Sequence, residues 1–303
     1  MTSHVNRNNW VLVALMVVVI GTAAFAAGQS EAPGMEEKGE VELVYVEWTR
    51  AIAITHVTGE ILDRMGYDVK LNSVANAAMW ASIATGDADA QLTAWLPATH
   101  GMFFGPEGEY TDDVVDLGPN YHGAKLGLIV PAYVDVDSIP EMAANAELFN
   151  GKITGIDPGA GMMQQTETAI AENVSGLGTM ELIEGSGATM TAALGDAIDR
   201  QEPIVVTLWA PHWVFGRWDL KLLDDPDEIF GSSETINTIV RKGLEADLPE
   251  VYRFLDEYDW SMVDLGPVMA WNQDGMEPAD SAKKFIDENL ALINSAMPDG
   301  MGI

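Results

Sequence analysis

Residues 92–100 read LTAWLPATH. The stretch starts as an apolar strand that ends on the aromatic residue Trp95, turns at Pro97 and places His100 shortly after the turn. Strands of this kind occur in α/β proteins, where ligands bind beyond the carboxyl ends of the strands. The stretch therefore predicts an α/β fold with a ligand cleft, and it makes Trp95 and His100 candidates for the wall of that cleft.

Strand and helix patterns alternate along the chain, which predicts a parallel sheet covered by helices. Apolar, partly alternating stretches predict strands at 41–48, 67–74, 88–95, 125–134, 152–156, 203–209 and 235–240. Apolar residues at helical spacing predict helices at 51–65, at 77–84, from 162 onward, at 191–199, and in the tail at 249–258 and 278–295. We expect the tail helices to pack on the first half of the fold. The Gly- and Asp-rich residues 103–121 are predicted to form a surface loop.

Composition narrows the class of protein. A length of 303 residues favours two lobes over one. The net charge of −32, from 47 acidic and 15 basic residues, argues against binding to nucleic acid or to an anionic membrane. The acidity fits either a solubilising surface or adaptation to high salt. The absence of cysteine excludes disulfides, a thiol nucleophile and a lipid-modified cysteine.

The first 27 residues are predicted to be a targeting segment. Arg7 is its only charged side chain at neutral pH, residues 10–20 are unbroken apolar sequence, and Ala24-Phe25-Ala26 fits a signal-peptidase site. An uncleaved membrane anchor is the alternative, because the apolar part is nearly long enough to span a bilayer. Residues 28–40 are predicted to be a linker. Both interpretations place the body of the protein outside the cytoplasm.

Three predicted strands end on tryptophan, at Trp48, Trp95 and Trp209. Core packing is one explanation, since tryptophan is usually buried. The alternative is a ligand cage, because residues at strand ends gather at the rim of the sheet. Three indole faces would suit a quaternary ammonium ion, and each would contribute about 0.5–2 kcal/mol by cation–π attraction once water is excluded.

Two further features could bind an anion. Residues 157–162, DPGAGM, form a Gly-rich turn at the predicted start of a helix, where free backbone N–H groups favour negative charge. Gly159 and Gly161 would permit close approach, although a plain tight turn is equally compatible with the pattern. His100 could donate a hydrogen bond to a carboxylate, or it could be an ordinary surface or core histidine. Together with the tryptophans, these features describe a site for a zwitterion with a trimethylammonium head and a carboxylate.

The sequence predicts no metal site, no cofactor and no catalytic residues. No two of the histidines have metal-ligand spacing, and no Gly-x-Ser-x-Gly elbow is present. The five histidines are His4, His56, His100, His122 and His212. Trp213 and Trp218 are interpreted as packing or rim residues.

Four segments resemble the glycine betaine/proline betaine substrate-binding proteins of ABC importers. They are VEWTRAIAITHVTGEIL (46–62), MWASIATGDADAQLTAWLPATH (79–100), GIDPGAGMM (155–163) and PIVVTLWAPHWVFGRWDLKLLDDP (203–226). The resemblance extends over about 41–295. It implies a two-lobed type II periplasmic-binding-protein fold with a ligand cleft between the lobes, the first lobe being 41–126 plus 236–297 and the second 127–235.

The resemblance also implies roles for six residues. The tryptophans matching Trp48, Trp95 and Trp209 would form the ammonium cage. His100 and the backbone amides of Gly161 and Met162 would bind the carboxylate. A ligand that touches both lobes would stabilise the closed form, which a membrane permease would then recognise.

The resulting hypothesis is a monomeric, non-enzymatic binding protein that delivers glycine betaine, or a similar zwitterionic osmolyte, to an ABC permease for osmoprotection. Many relatives from organisms with a single membrane are lipoproteins, so the lack of cysteine favours a periplasm between two membranes. Specificity for choline, carnitine or dimethylsulfoniopropionate, a ligand-sensing role, and an enzyme acting on betaine-like compounds are the alternatives.

Overall fold

The structure of the protein is a computed structural model that describes residues 38–303. The predicted targeting segment, 1–27, and most of the predicted linker, 28–40, lie outside the described residues. No helix within 38–303 is both long enough and apolar enough to cross a membrane.

Nine strands and ten α-helices occur in residues 38–303. The strands are β1 (Glu40–Tyr45), β2 (Asp68–Ser73), β3 (Ala90–Leu96), β4 (Val114–Pro131), β5 (Lys152–Thr154), β6 (Glu181–Ile183), β7 (Val206–Ala210), β8 (Leu220–Leu222) and β9 (Glu234–Arg241). The helices are α1 (Thr49–Arg64), α2 (Asn76–Thr85), α3 (Ile139–Ala144), α4 (Gly161–Ala171), α5 (Gly187–Arg200), α6 (Val214–Arg217), α7 (Leu244–Asp247), α8 (Pro249–Glu257), α9 (Gly266–Gln273) and α10 (Pro278–Ala296). All the predicted strands and helices have a counterpart, whereas other elements, among them β6, β8, α3, α7 and α9, were not predicted.

The strands form a mixed sheet in the order β2-β1-β3-β9-β4-β7-β5-β6, with β8 paired to β4. β1 pairs in parallel with β2 and β3, and β5 pairs in parallel with β6 and β7. β9 is antiparallel to both β3 and β4, and β4 is antiparallel to β7. The prediction of a parallel sheet is therefore wrong for the middle of the sheet, where β4 and β9 carry the chain between the two parallel halves.

The prediction of a surface loop at 103–121 is also wrong in its second half. Residues from Val114 onward belong to β4, which pairs with β9 from Val114↔Arg241 to Ala124↔Glu234. This part of β4 has three register shifts, and Gly118 and Gly123 adopt positive φ angles of 94° and 77°. Glycines in that backbone region are typical of turns, so the local sequence resembles a loop although the chain forms an irregular strand.

β4 changes partners in its middle, and this divides the fold into two lobes. Up to Ala124 it pairs with β9, and from Lys125 it pairs with β7. We call the half containing β1, β2, β3 and β9 the first lobe and the half containing β5, β6, β7 and β8 the second lobe. The predicted limits, 41–126 plus 236–297 and 127–235, lie close to this change of partner and stay a prediction.

Apolar faces hold the helices against the sheet. α1 carries Ile54, Val57 and Ile61 at helical spacing, and all three side chains are fully buried. At the C-terminal end of α1, Nη2 of Arg64 donates a hydrogen bond to Oδ1 of Asp287 in α10 at 2.7 Å. α10 therefore packs against a helix of the first lobe, as predicted for the tail.

Candidate functional site

A cavity between the lobes is lined by all six of the residues predicted to bind a ligand. The space not filled by protein atoms, including the part open to solvent, is about 450 Å³. The six residues are Trp48, Trp95, His100, Gly161, Met162 and Trp209. The fold therefore brings together residues that are far apart in the chain, and their roles in binding stay a prediction.

The three tryptophans reach the cavity from different elements. Trp95 lies in β3 and Trp209 in β7, each one residue before its strand ends. Trp48 does not end a strand, since β1 stops at Tyr45 and Trp48 is the residue that precedes α1. All three indoles are buried, with exposures between 4% and 8%, so a cation among them would be shielded from water.

His100 is held by its own segment. Its Nδ1 accepts a hydrogen bond from the backbone N–H of Trp95 at 3.0 Å. A ring nitrogen that accepts is unprotonated, so in the neutral ring Nε2 carries the hydrogen. Nε2 has no hydrogen-bond partner among the described residues. His100 can therefore offer one N–H donor to a ligand.

Burial keeps this histidine neutral. The side chain is fully buried, and desolvation lowers the pKa of His100 to about 3. Its ring stacks on Trp48, with centroids 5.8 Å apart and 20° between the planes, and meets Trp80 edge to face at the same distance. An imidazolium close to an ammonium cage would repel the ligand's head, whereas a neutral N–H does not.

The Gly-rich turn begins α4, as predicted. Gly161 and Met162 are the first two residues of this helix, so their backbone N–H groups have no partner within it. The residue before them is Ala160, and no side chain in the described part of the chain caps the helix start. These two amides, at the positive end of the helix dipole and beside the cavity, can donate to a carboxylate.

The same turn touches the first lobe at three points. Nε1 of Trp48 donates to Oδ1 of Asp157 at 3.0 Å, and Nδ2 of Asn76 donates to the carbonyl of Gly159 at 3.1 Å. A Cβ atom on Gly161 would lie only 2.2 Å from the carbonyl oxygen of Thr99. The close approach permitted by Gly161 is thus to the other lobe, while no atom of residues 38–303 lies within 4 Å of a Cβ at Gly159. The lobes are closed around the cavity.

Arg50 is a second polar residue at the cavity. Its side chain is buried, and none of the ion pairs found in residues 38–303 includes it. Nη2 donates to Oδ1 of Asn120 at 3.0 Å, and the guanidinium lies 5.1 Å from the centre of the Tyr121 ring. Burial lowers the pKa of Arg50 to about 10, which leaves the guanidinium charged at neutral pH.

Glu234 fixes the turn that carries His100. This buried residue begins β9, and its Oε1 accepts hydrogen bonds from the backbone N–H groups of Ala98 at 2.6 Å and Thr99 at 2.9 Å. Its Oε2 accepts from the hydroxyl of Thr99. Glu234 pairs with Ala124, the last residue of β4 that pairs with β9. Its hydrogen bonds therefore hold the turn that carries His100 at the junction of the two lobes.

The described residues contain no group of three or more His, Asp or Glu side chains that could hold a metal ion.

A family model described as the substrate binding domain of an ABC-type glycine betaine transport system (OpuAC) matches residues 39–288. The chain belongs to the OpuAC family. The match covers both lobes and every residue of the cavity described above.

Similar proteins agree with this assignment to the OpuAC family. The chain is 46% identical over 143 residues to the glycine betaine/carnitine transport binding protein GbuC of Listeria monocytogenes, covering 47% of this chain and 48% of that protein. It thus matches about half the length of this curated relative. Lactococcal OpuAC, solved closed and complexed with glycine betaine, is 39% identical with a TM-score of 0.79, covering 86% of this chain and 100% of that one.

A second structure with the same fold is the glycine betaine/L-proline-binding protein ProX of Borrelia burgdorferi. It is 35% identical, with a TM-score of 0.79, and the match covers 86% of this chain and 97% of that chain. The predicted resemblance and the two-lobed α/β fold are therefore confirmed. The relatives are transport substrate-binding proteins rather than enzymes.

Three polar residues of this OpuAC-family site were not predicted from the sequence. Arg50, Thr93 and Thr99 line the cavity. An arginine in a chain with 47 acidic residues is expected to pair with a carboxylate at the surface, so nothing marked Arg50 as buried. The available signal for Arg50 is its position in the V-E-W-T-R segment, because Trp48 immediately precedes α1 and Arg50 lies in the first turn of that helix.

Proposed function

We propose that this chain is the extracytoplasmic substrate-binding protein of an ABC importer and binds glycine betaine or a similar zwitterionic quaternary ammonium osmolyte. One observation carries the proposal. One cavity is lined both by three buried indoles and by three N–H donors that have no partner within residues 38–303, those of His100, Gly161 and Met162. These two groups match the opposite ends of a betaine.

The trimethylammonium head would lie among Trp48, Trp95 and Trp209. A quaternary ammonium has no N–H to donate, so indole faces in a dry cavity are the partners best suited to it. The carboxylate would accept from Nε2–H of His100 and from the amides of Gly161 and Met162. Such charge-assisted hydrogen bonds are stronger than neutral ones, and each donor that is buried without a ligand gains a partner.

Binding would also hold the lobes together. Trp48, Trp95 and His100 belong to the first lobe, while Trp209, Gly161 and Met162 belong to the second. A ligand that contacts both sets favours the closed form over any open one, and the closed form would be the signal to a membrane permease. This role requires binding and release without chemical change. The protein would act in the periplasm, and residues 1–27 would direct its export.

Several ligands share the two ends that the cavity matches. The Listeria relative is a glycine betaine/carnitine transport binding protein, and carnitine, like dimethylsulfoniopropionate, has a cationic end and a carboxylate. Choline has no carboxylate, so His100 and the two amides would lose their partner. A ligand-sensing domain would bind the same molecules, and neighbouring genes for a permease and an ATPase would separate that role from transport.

Calorimetric titration of the purified mature chain tests the proposal. Glycine betaine, proline betaine, carnitine and dimethylsulfoniopropionate should compete for one site, and choline should bind more weakly. Trp95→Ala should remove most of the affinity for betaine because it opens the cage. Betaine recovered after incubation with the wild-type protein should be chemically unchanged. Absence of betaine binding, or equal binding by Trp95→Ala, would contradict the assignment of the cage.

A further inference from the structure

We propose that Asp157 is a positioning residue of the cation cage: its carboxylate holds the indole of Trp48 from across the cleft. The inference rests on the proposed function and deepens it. Nε1 of Trp48 donates to Oδ1 of Asp157 at 3.0 Å, and the two residues are 109 positions apart in the chain and lie in different lobes. The cage tryptophan of one lobe is thus oriented by the other lobe.

No cation within residues 38–303 forms an ion pair with Asp157. None of the ion pairs found in the described part of the chain includes this residue. Its side chain is partly buried, and its observed side-chain partner is the indole N–H. A hydrogen bond to an ionised acceptor is shorter and roughly twice as strong as a neutral one. The indole edge is therefore a preferred partner for this carboxylate when the cleft is closed.

This hydrogen bond has two effects on the cage. It holds the edge of the Trp48 ring, while the ring of His100 stacks on the face of Trp48 with the two centroids 5.8 Å apart. The two contacts together fix the orientation of the Trp48 ring. It also places a negative charge at the edge of the ring, and a carboxylate on the N–H makes the indole face more attractive to a cation. Trp48 would then present its best cation-binding face only in the closed form.

A second hydrogen bond on the same turn provides the control. Asn76 donates to the carbonyl of Gly159 at 3.1 Å, and it also joins the two lobes. Asn76 is not among the residues that line the cavity. Removing this contact should weaken closure in general, without acting through Trp48.

The experiment is a pair of double-mutant cycles on glycine betaine affinity, measured by calorimetry on the mature chain. Asp157→Ala should weaken binding about 10-fold, and Asp157→Asn by less, since its amide oxygen still accepts from the indole. In a Trp48→Phe background, which keeps an aromatic face and lacks the N–H, Asp157→Ala should cost less than about 2-fold. Asn76→Ala should cost the same in both backgrounds.

Each result decides the question. Wild-type affinity in Asp157→Ala, or an equal loss in both backgrounds, would overturn the role assigned to Asp157 while leaving the proposed function intact. Failure of the wild-type protein to bind glycine betaine would instead overturn the proposed function. The melting temperature of each ligand-free variant shows that it is folded. Asp157→Ala should leave it within about 2 °C of wild type and reduce the shift produced by betaine.

Discussion

The backbone N–H of Trp95 donates a hydrogen bond to Nδ1 of His100 at 3.0 Å. This contact links the two residues of the 92–100 segment that were expected to serve opposite ends of the ligand. It also selects the tautomer, because an accepting Nδ1 leaves the hydrogen on Nε2. Trp95 thus lines the cavity with its side chain, and its backbone N–H orients His100, the donor proposed for a carboxylate.

Betaine affinity should not change between pH 8 and pH 5. Burial lowers the pKa of His100 to about 3, so the imidazole stays neutral throughout this range and keeps one N–H donor. Calorimetric titrations at pH 8, 7, 6 and 5 would check this. If His100 bound the carboxylate as an imidazolium, affinity would fall as the pH rose through about 6.5, and that outcome would contradict the neutral-donor assignment.

Stability should fall as the pH drops below about 6.5, in part because of His212. Burial lowers the pKa of His212, like that of His100, to about 3, whereas an unfolded histidine titrates near 6.5. The unfolded chain therefore binds more protons between these values. Each histidine then removes about 1.4 kcal/mol of unfolding free energy per pH unit below about 6, until the folded pKa is reached.

Urea denaturation of wild type and His212→Gln at pH 8, 7, 6, 5 and 4 would test this contribution. Nδ1 of His212 accepts from the backbone N–H of Val214 at 3.3 Å, and the amide oxygen of glutamine is a substitute acceptor. The wild-type curve should fall more steeply than that of the variant below pH 6.5. Parallel curves would show that His212 does not contribute to the acid dependence.

Local patterns in the sequence predicted most elements of the fold and indicated the tryptophans and the Gly-rich turn that line the cavity, whereas the family resemblance supplied the roles of the six candidate residues. The strands that carry Trp95 and Trp209 are apolar and short, and the Gly-rich turn precedes a helix as its composition predicts. Each of these signals depends only on residues that are neighbours in the sequence, so it can be recognised without knowledge of the long-range contacts.

Contacts between distant segments account for what was not predicted. The first half of β4 contains glycines with positive φ, and its strand character depends on pairing with β9, more than 100 residues later. The partners of Arg50 and Glu234 lie on other elements, and no local pattern indicates them. The same is true of the hydrogen bond between Trp48 and Asp157, which exists only because the lobes meet.

Glu234 should support both stability and binding. Glu234→Ala would leave the buried N–H of Thr99 and the N–H of Ala98 without an acceptor, at a cost of about 1–3 kcal/mol for each buried unpaired group. We expect urea denaturation to show a loss of about 3 kcal/mol and betaine affinity to fall, because His100 follows this turn.

Glu234→Gln is the matched control for this change. Its amide oxygen can accept from both backbone N–H groups, and its NH₂ can donate to the hydroxyl of Thr99. It should therefore retain stability to within about 1 kcal/mol of wild type, and most of the affinity. If the alanine and glutamine variants behaved alike, the hydrogen bonds to the turn would not be the reason for the effect.

Gly161→Ala should prevent the lobes from closing, because its Cβ would lie 2.2 Å from the carbonyl oxygen of Thr99 and 3.1 Å from the carbonyl carbon. Both atoms belong to the backbone of the opposite lobe, so no side-chain rotation can relieve the clash. Gly159→Ala, two residues earlier in the same turn, would place a Cβ that has no atom of the described residues within 4 Å. We expect Gly161→Ala to weaken betaine binding at least about 100-fold, since the ligand needs the closed form, and Gly159→Ala to bind like wild type.

Small-angle X-ray scattering with saturating betaine should show compaction for wild type and Gly159→Ala but not for Gly161→Ala. Compaction of the Gly161→Ala variant with wild-type affinity would mean that the turn can move away from Thr99, and that this contact does not limit closure.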